Sequence, residues 1–270
     1  MTQRLDYRVA ELRPYINWIY FFHAWGLAGK PQIEKDRMRE EAERMLDEFE
    51  QRYQTHAVFG IYTANSDGDD IIVGGMRMPM LRQQHPTQEG EPNLCLADFV
   101  RPQASGIEDK VGAFATTVDT AMEHDYIADD YKRMLSQTLA DRLAEATAEL
   151  THLRVRREYW GYAPDEQLSM EQLLREDFQG IRPAVGYPSM PDTSVNFMLD
   201  QLLDMKQIGI RLTESGAMKP HASVSGLMFA HPKARYFDIG KIDEEQLGDY
   251  ARRRHIPLEL MRRFLISRLQ

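Results

Sequence analysis

Between Ile33 and Tyr53, Met38, Ala42, Met45, Leu46 and Phe49 recur at three- and four-residue spacing among charged neighbours. That is the period of an amphipathic helix. The pattern then changes. "HAVFGIYTA" and "DIIVGG" flank "NSDGDD", which is turn chemistry, so the pair predicts a hairpin. "NLCLADFV" and "KVGAFATTV" are short, apolar and largely β-branched or aromatic, and predict buried strands. The helical period returns from about Asp130 to Arg157, with Leu135, Leu139, Leu143, Ala146, Leu150 and Leu153 on one stripe. Ser169 with Gln172 forms a capping-box pattern at the head of a shorter helix. Asp192 predicts the N-cap of a helix ending at Gly209. "ASVSGLMFA" and "ARYFDIGKI" predict two more strands, and "DEEQLGDYARRRH" and "PLELMRRFLI" two closing helices, with Pro257 in the first turn of the second.

Strands and helices come in blocks, which favours a mixed or antiparallel α+β architecture over a doubly wound one. No linker, repeat or low-complexity segment divides the 270 residues, so residues 1–270 read as a single domain. The content, 43% hydrophobic and 28% charged, is that of a globular chain. A net charge of −9 argues against a nucleic-acid or anionic-membrane surface. The lone Cys95 rules out an internal disulfide and disfavours a thiolate metal site, and a cytoplasmic location fits. The start is not a signal peptide, and "YINWIYFFHAW" is too short to span a bilayer.

Motifs of well-known chemistry are missing. There is no G-x-G-x-x-G after a strand, no Walker sequence, no G-x-S-x-G elbow and no closely spaced histidine pair. One segment stands out instead. "GIRPAVGYPSMPD", Gly180 to Asp192, packs three prolines and two glycines around a single arginine and a single tyrosine. Proline fixes φ and removes a donor, so neither a regular helix nor a regular strand is predicted there.

Together with "YWGYAPDEQLSMEQLLREDFQ", "LADRLAEATAEL", "LTESGAMKPHASVSGLMFAHPKARYF", "DYARRR", "LRPYINW…FFHAWGLAGK" and "LADFV", this segment resembles the C-terminal activation domain of cobalamin-dependent methionine synthase. The likeness spans nearly the whole chain and is weakest from about Gly68 to Pro92 and from Val118 to Tyr126, where this chain is shortened. It implies a C-shaped α+β body with a twisted antiparallel sheet and a shallow groove for S-adenosylmethionine (AdoMet). It also implies a role: presenting AdoMet to a cobalamin oxidised to cob(II)alamin, so that one electron from a flavodoxin-type donor and one methyl group restore methylcobalamin.

The residues suit that role. Arg182 offers a planar fork to a ligand carboxylate. Gly186 and Ala184 leave room for a ligand against the main chain, and Tyr187 offers a ring face and a hydroxyl. Flanking prolines hold these groups in place before a ligand arrives. The resemblance adds Glu145, Tyr236 and Phe237 to the AdoMet site. Read from the residues alone, Arg182 fits a surface ion pair and Tyr187 ordinary packing. Glu145 fits a solvated helix position and Tyr236 a packed strand residue, with Phe237 on the opposite face of a regular strand. At Asn17 the family usually has aspartate; asparagine keeps an acceptor and loses the charge, which predicts weaker AdoMet binding.

The family's cobalamin module carries a D-x-H-x-x-G motif that this sequence lacks, and the substrate barrels do not fit in its length. Cobalamin is therefore expected on a partner, the cobalamin-binding module of a separately encoded methionine synthase. The start and the "LISRLQ" end favour a free-standing subunit over an excised domain. The alternative is a sensing or docking protein for a corrinoid protein, with productive methyl transfer lost.

Overall fold

The computed structural model describes residues 1–269. Its strands are β1 (Thr2–Arg8), β2 (Gln54–Asp67), β3 (Asp70–Val73), β4 (Met76–Pro79), β5 (Asp109–Val118), β6 (Arg211–Leu212), β7 (Met218–Lys219) and β8 (Ser223–Met228). All except β6 and β7, which pair with each other, join one antiparallel sheet in the order β4-β3-β2-β5-β8. The long β2 also carries β1, paired from Thr2↔Gly60 to Arg8↔Gln54. The helices are α1 (Val9–Leu12), α2 (Trp18–Ala24), α3 (Gln32–Glu50), α4 (Ala121–His124), α5 (Asp130–Arg154), α6 (Met170–Leu174), α7 (Val195–Leu203), α8 (Glu244–Arg254) and α9 (Leu258–Phe264).

Alternation along the strands supplies two cores. Val111, Ala113 and Ala115 of β5 join the core containing Leu199 of α7, Leu247 of α8 and Met261 of α9. Phe114 and Val118 join the core containing Leu46 of α3 and Leu139 and Leu143 of α5. Both faces are covered, so "KVGAFATTV" reads as a continuous apolar run rather than an alternating one. On α3 the predicted stripe is buried in full. On α5, Leu135, Leu139, Leu143 and Ala146 are buried, but Leu150 and Leu153 are only half-buried. The buried face continues instead through Glu149, His152 and Arg156, the last in a wide π turn at Val155–Tyr159.

Several expectations fail, each for a local reason. "NLCLADFV" contains a single 3-10 turn, Leu96–Phe99. The Asp98 carboxylate accepts the Cys95 N–H at 2.8 Å and pairs with Arg82 at 2.7 Å, overriding β propensity. Asp192 does not cap α7, which begins after Ser194 and stops where Asp204 turns left-handed at φ 51°. The Asp192 carboxylate accepts instead from the Ser194 N–H and the Tyr250 hydroxyl. "ARYFDIGKI" is not a strand.

The sheet edge beside β8 is occupied by the proline segment. Ile181 and Phe229 exchange backbone hydrogen bonds at 3.0 and 2.9 Å, the Leu227 N–H donates to the Pro183 carbonyl, and Val185 N–H to the Ser225 carbonyl. Proline lacks the donor but not the acceptor, so this aperiodic segment still docks on the edge. Gly226 makes the docking possible, since a Cβ there would lie 2.2 Å from the Pro183 carbonyl oxygen.

Candidate functional site

Between this segment and α2, α5 and α6 lies a groove of about 890 Å³. The N-terminal end of α2 and its outer face contribute Asn17, Tyr20, His23 and Ala24; α5 contributes Arg142, Glu145 and Glu149. Leu173 to Glu176 form a third wall, and Arg182 to Ala184, Tyr187 to Ser189 and Tyr236 to Asp238 complete it. The groove thus collects Asn17, Glu145, Arg182, Ala184, Tyr187, Tyr236 and Phe237. Gly186 is not in its lining. Its φ of +90° and its N–H bond to the Met190 carbonyl form the turn that brings Tyr187 over the groove.

Helical spacing sets the rear wall. Glu145 and Glu149 stand one turn apart on α5, so both carboxylates face the proline segment. Glu145 accepts the Tyr187 hydroxyl at 2.7 Å, and Glu149 accepts Arg182 Nη2 at 2.7 Å. The remaining guanidinium atoms are poorly matched. Arg182 Nη1 is 4.0 Å from Glu145, while Arg182 Nε and Glu149 Oε1 are buried without any partner. Buried polar atoms are rarely left so. Glu149 and Glu176 are site residues that the sequence reading missed. Glu176 holds a left-handed backbone at φ 61°, unusual for a non-glycine residue.

Tyr236 accepts the Arg182 backbone N–H at 3.0 Å, which points away from β8. Phe237 is buried against Phe99, with ring centroids 6.4 Å apart. Asn17 caps α2, accepting from the Ile19 and Tyr20 N–H groups at 3.1 and 3.4 Å. The Asn17 cap was legible in "INWIYFF" as a cap residue before an apolar run.

Burial opposes charge on Arg182, but Glu149, Tyr236 and Glu145 outweigh it and hold the guanidinium charged above its ordinary range. Burial raises the Tyr236 hydroxyl to about 12 and, with the Glu145 carboxylate, raises Tyr187 as well, so both are neutral donors at pH 7. Behind Glu149 lies a second buried group. Arg156 binds both oxygens of Glu166 from Nε and donates Nη1 to His152 Nδ1 at 2.9 Å. Its guanidinium carbon sits 3.9 Å from the centroid of the Phe178 ring. Burial, then the charges of Arg156 and Arg182, keep His152 neutral. With Nδ1 accepting, its proton lies on Nε2, 3.3 Å from the Tyr162 hydroxyl.

No cluster of three or more histidine, cysteine or carboxylate side chains suited to a metal ion occurs among the described residues. Nor is any of their helices long and apolar enough to cross a membrane. What fold and groove define is an α+β domain whose sheet-edge loop holds a half-paired arginine among carboxylates and aromatic rings. Residues 8–255 match the family described as vitamin B12 dependent methionine synthase, activation domain. The chain belongs to that family. It is also similar to the MetH reactivation domain, solved as a crystal structure bound to AdoHcy, with a TM-score of 0.93 and 41% sequence identity over 100% of this chain and 90% of that one. Both share the antiparallel sheet flanked by helices that the family resemblance implies, within the α+β class that the sequence pattern predicts.

Proposed function

We propose that residues 1–270 act as one unit that binds AdoMet in the groove and presents it to a cobalamin carried by a partner. That partner is the cobalamin-binding module of a separately encoded methionine synthase. The observation carrying this reading is the buried, half-paired Arg182 at the groove floor. Its open N–H donors suit the ligand's carboxylate. Glu145 and Glu176 suit the ammonium and the sulfonium, and the rings of Tyr187 and Tyr236 suit a cation or a purine. Ala184 keeps the floor low, Asn17 lies on the opposite wall, and Phe237 backs the segment that bears Tyr236. A similar reactivation domain bound to AdoHcy supports the ligand class. Cobalamin supplies the methyl acceptor when the partner docks, and a flavodoxin-type donor is the natural source of the electron. This chain contributes binding and orientation.

Calorimetric titration with AdoMet tests the reading. We expect saturable one-to-one binding, weakened about 100-fold in Arg182→Ala by loss of a charge-assisted contact. Equal affinities would overturn it.

A second reading has its own observation. The Asn17 amide oxygen is already engaged by two backbone donors, and the α2 side of the groove, Asn17, Tyr20, His23 and Ala24, brings no carboxylate. A sensing or docking role without productive methyl transfer follows if AdoMet binds but reductive methylation of an added cobalamin module does not proceed.

A further inference from the structure

Two buried polar atoms in the groove floor, Arg182 Nε and Glu149 Oε1, lack partners although their own residues are joined by a 2.7 Å hydrogen bond. An ion pair sealed in a core normally saturates its remaining donors and acceptors, because each unsatisfied one carries a desolvation cost. Arg156 and Glu166, one layer behind, do so. Glu149 therefore does something other than neutralise a core charge.

Its place says what. Glu149 sits on α5, a 25-residue helix, whereas Arg182 sits on an irregular segment docked along a sheet edge, with its backbone N–H on Tyr236. Their side chains are only 8% and 12% exposed, so the pair is shielded from water's competition. Tyr187 already occupies Glu145, which leaves Glu149 as the carboxylate that fixes the guanidinium plane. We propose that Glu149 is a positioning residue: it clamps Arg182 Nη2 so that the remaining N–H donors are oriented in advance for a ligand's α-carboxylate. This rests on the reading that Arg182 grips that carboxylate. It predicts selectivity for ligands bearing an α-carboxylate over otherwise identical ones without it.

The test compares AdoMet with decarboxylated AdoMet, which keeps the sulfonium, amine and adenosine. Both are titrated into wild type, Glu149→Met, Glu149→Gln and Arg182→Ala, with thermal unfolding as a fold control. Glu149→Met, which fills the space without an acceptor, should weaken AdoMet binding about 10- to 100-fold. It should leave the decarboxylated ligand unchanged. Glu149→Gln keeps an acceptor for Nη2 and should recover part of the loss. If Glu149→Met does not fold, a selective loss of AdoMet affinity in Glu149→Gln carries the test. A loss shared equally by both ligands would make Glu149 merely structural. Unchanged or tighter AdoMet binding would make it idle or a competitor for Arg182. Either result overturns the proposal while Arg182→Ala still discriminates the two ligands. If Arg182→Ala weakens both ligands equally, the carboxylate reading itself fails, and the proposal falls with it.

Discussion

Two buried arginines bond to neighbouring turns of α5, Arg182 to Glu149 and Arg156 to His152, and they are finished to different degrees. Arg156 has no exposed side-chain surface; Glu166 and His152 take up its donors and Phe178 covers its face. Arg182 is held by Glu149 alone, and its Nε has no partner. Burial and a carboxylate neighbour are common to both arginines; they differ in the donors left open and in that only Arg182 lines the groove.

The comparison breaks if both sites respond alike. Arg156→Ala strands Glu166 and His152 in the core and should cost about 3–5 kcal/mol in denaturant unfolding. Arg182→Ala should cost well under half of that, because Glu149 lines the groove and truncating Arg182 admits groove water to the carboxylate that the pair otherwise shields. Equal losses would make Arg182 a core residue. Next in size is a change on the pocket side only. Asn17→Asp preserves a good N-cap and adds a charge, and should tighten AdoMet binding by about 1–3 kcal/mol with little change in stability. No tightening would show that the Asn17 wall does not meet a ligand cation.

A third effect belongs to the Arg156 side. His152 titrates near 6.5 when unfolded and well below that when folded. The unfolded chain therefore binds more protons below that pH, and stability falls as pH drops through about 6.5, by up to about 1.4 kcal/mol per pH unit. His152→Gln should flatten that part of the profile in unfolding experiments from pH 7 to 5. The smallest change is Tyr187→Phe, which removes the bond to Glu145 and should cost about 1 kcal/mol of stability. A much larger loss would mean that the loop depends on that contact rather than on the sheet edge.

Sequence reading reached the elements whose signals are local. The β2–β3 hairpin, the capping box at Ser169 and the α3 stripe are where periodicity and turn chemistry put them. It failed where a distant partner decides. "ARYFDIGKI" has strand composition, but the sheet edge was taken by a segment with three prolines. Arg182 and Tyr187 were singled out from that odd composition. Glu149 was not, because the leucine stripe was extended to Leu150 and Leu153. The signal was present: Glu149, His152 and Arg156 continue the same face at three- and four-residue steps, a buried stripe turning polar. Glu176 left no such trace, since its place depends on a backbone conformation with no residue signature.

The docking of the proline segment has a consequence for the chain's behaviour in solution. β8 is the last strand of its sheet, and an uncovered last strand presents a row of unpaired amides and carbonyls to any other chain. The segment that carries Arg182 is also the cover on that row, with Gly226 as its seat. Any change that loosens the loop to retune the groove thus also uncovers an aggregation-prone edge. The chain's solubility constrains how far its binding groove can be altered.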